Sequence, residues 1–92
     1  MMFCIYVKLA LMNKTLFNKH LGFFIKSKRQ QLQMSQSDLA AKLENNFQNI
    51  SRLERGEISP TLFWLFKLAE AFEEEPSELI AEFEKYVAKQ KG

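Results

Sequence analysis

The side chains that most often carry out catalysis or bind metals are sparse in this sequence. It contains one cysteine, Cys4, and one histidine, His20, which excludes a disulfide framework and a Cys/His metal cluster. Its three glycines form neither GxGxxG nor GxxxxGK, the patterns of phosphate-binding loops. We interpret Cys4 as a small hydrophobic residue and His20 as a surface or capping residue. With no recognisable pocket of paired carboxylates, we expect no enzyme activity, no metal and no cofactor.

Length and composition indicate one small folded domain. The chain has 92 residues, of which 47% are hydrophobic and 26% charged. The charge is uneven: residues 1–56 hold nine Lys and Arg against three Asp and Glu, whereas residues 57–92 hold four against eight. A basic half and an acidic half favour a molecule that turns one face toward a polyanion, although small helical domains often have a lopsided surface.

The first twelve residues, MMFCIYVKLALM, are apolar except for Lys8. This segment is too short to span a membrane and lacks the basic start of a signal peptide, so we expect a cytoplasmic protein. We assign residues 1–12 as an apolar N-terminal extension and residues 13–92 as the folded domain. The extension fits a β-strand from Phe3 to Leu11 or an extra helical turn. In another interpretation Met12 is the natural start and the preceding residues are not made in the cell.

Capping signals and apolar spacing predict an all-α domain of five helices. The start signals of the first four helices are Thr15, a capping box of Ser35 and Asp38, the pair Asn45-Asn46, and Ser59-Pro60. The run Glu73-Glu74-Glu75-Pro76 breaks the fourth helix before the last one. Gly56 is a stop signal for the third helix.

Two of the predicted helices are short, and a tight turn joins them at about residues 36–55. Their inward positions are Leu39, Ala40 and Leu43 in the first helix and Ile50 and Leu53 in the second. Ala40 is small enough for two helices to cross closely. A pair of this kind has a known use, in which the second helix lies in the major groove of DNA while the first crosses the backbone.

The run from Leu21 to about Phe83 resembles the Xre-type helix-turn-helix family, the lambda-repressor-like and Cro-like DNA-binding domains. The matching stretches are IKSKRQQLQMSQSDLAAKL (25–43), ISRLERG (50–56) and SPTLFWLFKLAEAF (59–72), and the resemblance covers about two-thirds of the chain. It implies a lambda-repressor-like five-helix fold, sequence-specific binding of double-stranded DNA, and a bacterial or phage transcriptional regulator.

The resemblance also implies DNA-contacting residues, with a recognition helix at about residues 46–55. The base contacts that it implies are Gln36, Phe47, Gln48, Asn49 and Arg52, and the phosphate contacts are Lys26, Lys28, Ser35, Asn46 and Ser51. Glutamine and asparagine amides can pair with adenine, and arginine can reach guanine or a phosphate. Alternatively, these are solvated polar residues of a domain that kept its fold and lost DNA binding.

One residue pair that the resemblance singles out is structural. Arg29 and Glu54 match a pair that forms an internal salt bridge in repressors of this family and ties the first helix to the recognition helix.

Four positions depart from the family pattern. Glu44 stands where the turn between the two short helices usually has glycine, a residue that readily adopts positive φ. Asn45 replaces an apolar residue and tolerates that region, which leaves room for the turn to shift by one residue. Phe47 either contacts a thymine methyl or packs inward, and we favour the inward or partly inward orientation. Glu73 stands where a helix-stopping glycine is common.

The fourth predicted helix presents two aromatic residues away from its expected core stripe. That stripe consists of Leu62, Leu65, Phe66, Ala69 and Phe72. Phe63 and Trp64 lie outside it and form a candidate dimer or partner surface. Alternatively, the N-terminal extension covers them, or the core is thicker than the stripe indicates.

Two functions therefore compete. The leading one is a homodimeric repressor that reads a palindromic operator with two recognition helices. The second is a protein-binding module, such as an antitoxin that binds a partner protein and regulates its own operator.

Overall fold

The computed structural model describes residues 12–90, and these residues form five α-helices and no strand. The helices are α1 (Lys14–Gln31), α2 (Gln36–Lys42), α3 (Phe47–Glu54), α4 (Leu62–Ala71) and α5 (Pro76–Ala88). The predicted all-α five-helix fold is confirmed. The proposed strand from Phe3 to Leu11 and the residue Cys4 lie outside the described residues. None of the five helices is long and apolar enough to cross a membrane.

Side-chain caps fix the starts of α2 and α3 as the sequence predicts. Ser35 Oγ accepts a hydrogen bond from the Asp38 backbone N–H, and the Asp38 carboxylate accepts one from the Ser35 N–H, both at 2.9 Å. This reciprocal pair is the predicted capping box, and the Ser35 N–H lowers the pKa of the Asp38 carboxyl. Asn46 Oδ1 accepts from the Asn49 N–H at 2.9 Å and caps α3.

Two predicted helix starts are wrong. Asn13 rather than Thr15 caps α1, because the Asn13 side chain accepts the Leu16 N–H at 2.8 Å. Thr61 rather than Ser59 caps α4. Ser59 instead donates its hydroxyl hydrogen to Asn18 Oδ1 at 2.5 Å, which fastens the loop before α4 onto α1.

Three helices are each followed, two residues after the last helical residue, by a non-glycine residue with positive φ. These are Gln33 (57°), Glu44 (53°) and Glu73 (58°), whereas Gly56 (76°) follows α3. Glu44 itself adopts the left-handed conformation, so the turn does not shift onto Asn45. The Asn45 N–H donates to the Ala40 carbonyl at 2.9 Å and closes this turn.

A close crossing of α1 and α3 lies at the centre of the fold. A Cβ on Gly22 would lie 2.4 Å from the carbonyl oxygen of Leu53 and 2.6 Å from that of Glu54, well inside van der Waals contact. Gly22 is therefore required for the helices to approach this closely. Around the crossing lies a buried core that consists of Leu21, Phe24, Ile25, Leu39, Ala40, Leu43, Ile50, Leu53, Leu68, Ala69, Ala71, Phe72, Leu79, Phe83 and Val87.

The predicted core stripe of α4 is partly wrong. Leu62 and Phe66 are exposed, whereas Trp64 packs partly buried against the core. Phe63 is exposed as expected, with 74% of its surface accessible. The helix is apolar at nearly every position, so spacing alone does not choose its buried face.

Candidate nucleic-acid interface

A buried ion pair joins α1 to α3 beneath the predicted interface. Arg29 Nε donates to Glu54 Oε2 at 2.7 Å, and Arg29 Nη2 donates to Glu54 Oε1 at 3.1 Å. Only 9% of the Arg29 side chain and 2% of the Glu54 side chain are exposed. A third donor, Arg29 Nη1, binds the Met34 carbonyl at 2.6 Å. The guanidinium thus holds both α3 and the loop that leads into α2.

Gln36, the first residue of α2, is tied to the same carboxylate. Its Nε2 donates to Glu54 Oε1 at 3.0 Å, and the residue is half-buried. Glu54 therefore accepts hydrogen bonds from α1 and α2 while it belongs to α3. This shared acceptor fixes the relative position of the two short helices.

The polar side chains in the first turn of α3 differ in their exposure and in whether they already form hydrogen bonds. Gln48 is exposed. Asn49 is half-buried, and its Nδ2 donates to Asn45 Oδ1 at 2.9 Å, so this amide is braced by the preceding turn. Asn46 is exposed, and its side chain is committed to the cap.

Phe47 also projects into solvent. It is 50% exposed and is not among the partly buried side chains that pack on the described core. A fully inward orientation is therefore excluded, whereas the partly inward one stays a prediction. Phe47 shares a helical face with Ile50 but lies one turn nearer the N-terminal end of α3.

The remaining predicted contacts on α3 lie on its solvent side. The Arg52 side chain is 51% exposed, and its Nε lies 3.9 Å from Glu57 Oε1. Ser51 is half-buried, and its hydroxyl oxygen accepts a hydrogen bond from Arg55 Nη1.

The predicted phosphate contacts on α1 are divided between two faces. Lys26 is exposed. Lys28 is mostly buried; its Nζ donates to Glu74 Oε2 at 3.0 Å and contacts Glu82. Burial lowers the pKa of the Lys28 ammonium, but its hydrogen bonds to Glu82 and Glu74 outweigh burial and raise the pKa overall. Lys28 thus ties α1 to α5, which corrects its assignment to the phosphate contacts.

Sequence reasoning missed Arg55 and Glu57. Arg55 is the C-cap of α3, and its Nε and Nη2 donate to the two Glu57 oxygens at 2.7 and 3.2 Å. The available signal was the spacing, since Glu57 follows Arg55 by two residues and Arg52 by five. Arg55 lies within the matching stretch 50–56 and Glu57 directly after it, but the resemblance assigned no role to either residue.

Two other expectations concern metals and His20. Within residues 12–90, no group of three His, Cys, Asp and Glu side chains is placed to hold a metal ion. His20 is half-buried and lies edge-on to the Tyr86 ring with the centroids 6.1 Å apart, so it packs between α1 and α5 instead of capping a helix.

The arrangement of α2 and α3 matches that of a known protein family. The family model of HTH_3, described as helix-turn-helix, matches residues 25–79. The chain belongs to the HTH_3 family. The match confirms the Xre-type resemblance and spans both short helices and their supports in α1 and α4. None of the curated proteins compared with this HTH_3 chain matches it significantly.

Solved structures share the HTH_3 fold. An HTH_3 family transcriptional regulator from Vibrio cholerae superposes with a TM-score of 0.69 at 25% identity, over 79% of this chain and 41% of that one. This chain thus spans about two-fifths of that regulator's length. The clp gene regulator ClgR from Corynebacterium glutamicum gives a TM-score of 0.72 at 21% identity, over 83% and 81% of the two chains. A second ClgR structure gives 0.70 at 23%, over 82% and 97%.

Proposed function

We propose that this protein binds double-stranded DNA sequence-specifically and regulates transcription, with α3 in the major groove. The observation that carries the proposal is the division of α3 into two faces. Ile50, Leu53 and Glu54 are buried, whereas Gln48 and Arg52 are exposed. Membership in the HTH_3 family supports the proposal, as does the similarity to structures titled transcriptional or gene regulators.

Each predicted contact that remains on the exposed side has a role in this proposal. Gln48 and Arg52 read base edges, because an amide and a guanidinium each form two hydrogen bonds to one base. Asn49 and Phe47 flank them, and Phe47 offers an apolar edge to a thymine methyl. The phosphate contacts that we retain are Lys26, Ser35, Asn46 and Ser51. Gln36 stays a proposed base contact at the start of α2.

Replacing Gln48 and Arg52 together with alanine should abolish sequence preference and leave stability nearly unchanged. Each bidentate base contact contributes about 1–3 kcal/mol of discrimination, and both side chains are exposed. The experiment selects sites from a random duplex library and then measures affinity for the selected and a scrambled duplex. The control Gln31→Ala with Lys85→Ala also removes one amide and one cationic side chain, from exposed positions on α1 and α5. Loss of the cooperative thermal transition along with preference would show that the pair is structural.

We further propose that the protein is a cytoplasmic dimeric repressor at a palindromic operator. An exposed apolar face on α4 supports the dimer: Leu62, Phe63 and Phe66 all project into solvent there. We assign Phe66 instead of Trp64 to the dimer surface, because Trp64 packs against the core. Two α3 helices would then read half-sites about one helical turn apart.

Replacing Phe63 with serine and Phe66 with lysine should convert the dimer to a monomer in sedimentation velocity. Both rings are more than half exposed, so the domain should remain folded. The control Phe23→Ser alters an equally exposed ring on α1 and should leave the mass unchanged. If the double variant keeps the wild-type dimer mass, this face is not the dimer interface. If the wild type is itself a monomer, the same apolar face favours the second candidate, a partner-binding antitoxin.

A further inference from the structure

Glu57 follows α3 closely, and its carboxylate lies between two arginines. Its oxygens accept hydrogen bonds from Arg55 Nε and Nη2 at 2.7 and 3.2 Å. One of these oxygens, Oε1, also lies 3.9 Å from Arg52 Nε. A single carboxylate therefore contacts both guanidinium groups at the C-terminal end of the helix that we propose for DNA reading.

We propose that Glu57 competes with DNA for Arg52 and with DNA phosphates for Arg55, and thereby lowers the affinity of this surface for DNA of any sequence. The inference rests on the proposed DNA-binding function and adds a residue that tunes it. It assigns Glu57 to the control of affinity, not to base reading, since a carboxylate and a phosphate compete for the same donors.

The local geometry keeps the carboxylate close to both arginines. The Glu57 backbone N–H donates to the Arg52 carbonyl at 2.9 Å, so the turn after α3 holds the residue in place. The hydrogen bond from Arg55 lowers the pKa of the Glu57 carboxyl, which is therefore ionised at neutral pH. Any phosphate that approaches Arg52 or Arg55 meets this negative charge.

The contacts are also open enough for DNA to displace them. About half of each side chain is exposed, with 55% for Arg55 and 49% for Glu57. Exposed ion pairs of this kind contribute little to stability and are screened by salt. Exchange of the carboxylate for a phosphate therefore leaves the fold intact, and its effect falls on binding.

The substitution Glu57→Gln tests the inference. Binding is measured by fluorescence anisotropy with a random-sequence duplex of about two helical turns and with the same length carrying the selected site. At low salt we expect about 3- to 10-fold tighter binding to both duplexes, as expected from one charge removed about 4 Å from an arginine in a solvated setting. Between about 50 and 200 mM salt, the plot of log affinity against log salt concentration should become steeper, by up to about one released ion.

The matched control is Glu73→Gln. Glu73 is an exposed carboxylate that follows α4, away from the proposed DNA-reading helix, and its substitution changes the net charge by the same amount. Its affinity should remain that of the wild type. A second test combines Glu57→Gln with Arg55→Ala, where the gain in affinity should shrink because one competed cation is absent.

Three outcomes overturn the inference. They are an unchanged affinity of Glu57→Gln, an equal gain with and without Arg55, and a loss of affinity confined to the selected site, which would make Glu57 a positioning residue for Arg52. An unaltered thermal unfolding midpoint verifies that the variant is folded. If the wild type binds neither duplex at any salt concentration, the proposed function itself fails. If the wild type binds and Glu57→Gln does not change that binding, only this inference fails.

Discussion

Replacing Arg29 with methionine is expected to lower the free energy of unfolding by about 3–5 kcal/mol. The substitution leaves the Glu54 carboxylate almost fully buried with only the Gln36 amide among its present side-chain partners. Removal of the guanidinium also leaves the Met34 carbonyl without its donor. Since small domains are stable by only about 5–15 kcal/mol in total, this single change should bring the protein close to unfolding.

Urea denaturation followed by circular dichroism measures this loss. The double variant Arg29→Met with Glu54→Leu should recover much of it, because two apolar side chains replace a charge pair without stranding either charge. The control Arg55→Met breaks an exposed pair with Glu57 and should leave the free energy of unfolding nearly unchanged. If the free energy of unfolding of Arg29→Met lies within about 1 kcal/mol of the wild-type value, the argument from burial of the Glu54 carboxylate is contradicted. If the double variant loses as much free energy of unfolding as the two single substitutions together, Arg29 and Glu54 are not energetically coupled.

Replacing Gly22 with alanine is expected to destabilise the protein by about 2 kcal/mol or more. Helix propensity alone predicts the opposite sign, with a gain of about 1 kcal/mol. The structure decides the sign, because the added Cβ would meet the Leu53 and Glu54 carbonyl oxygens at 2.4 and 2.6 Å. Backbone atoms have no alternative rotamer, so α3 as a whole must move away from α1.

The midpoint of urea unfolding again gives the measurement. The matched control is Gln30→Ala, an exposed position on the same helix, which should be nearly neutral. If Gly22→Ala is as stable as the wild type, α3 is free to shift and the crossing is not tightly packed. A displaced α3 should also weaken the sequence preference that we propose for Gln48 and Arg52.

Local chemistry accounts for what the sequence predicted well. The capping box of Ser35 and Asp38 and the cap at Asn46 depend on residues within a few positions of one another, so their types and spacing are sufficient. Arg29 and Glu54 lie 25 residues apart, and only the family resemblance indicated their contact.

Helix α4 shows where periodicity fails. Its sequence, LFWLFKLAEA, is apolar on almost all sides, so a helical wheel fits more than one core stripe. The packing of Leu68, Ala69 and Phe72 against the other helices selects the face that turns Trp64 inward and leaves Phe66 outside. This choice moved the candidate dimer surface from Trp64 to Phe66.

By itself, the sequence determined the helical content, the helix-turn-helix pair and the family, because each depends on local caps, apolar spacing and short motifs. Only the tertiary structure decided the partners of Lys28 and the role of Gly22. It brought Lys28 to Glu74 and Glu82, and it made Gly22 a packing requirement. The physical reason is that ion pairing and steric contact depend on distances across elements, which the spacing of residues along one helix does not contain.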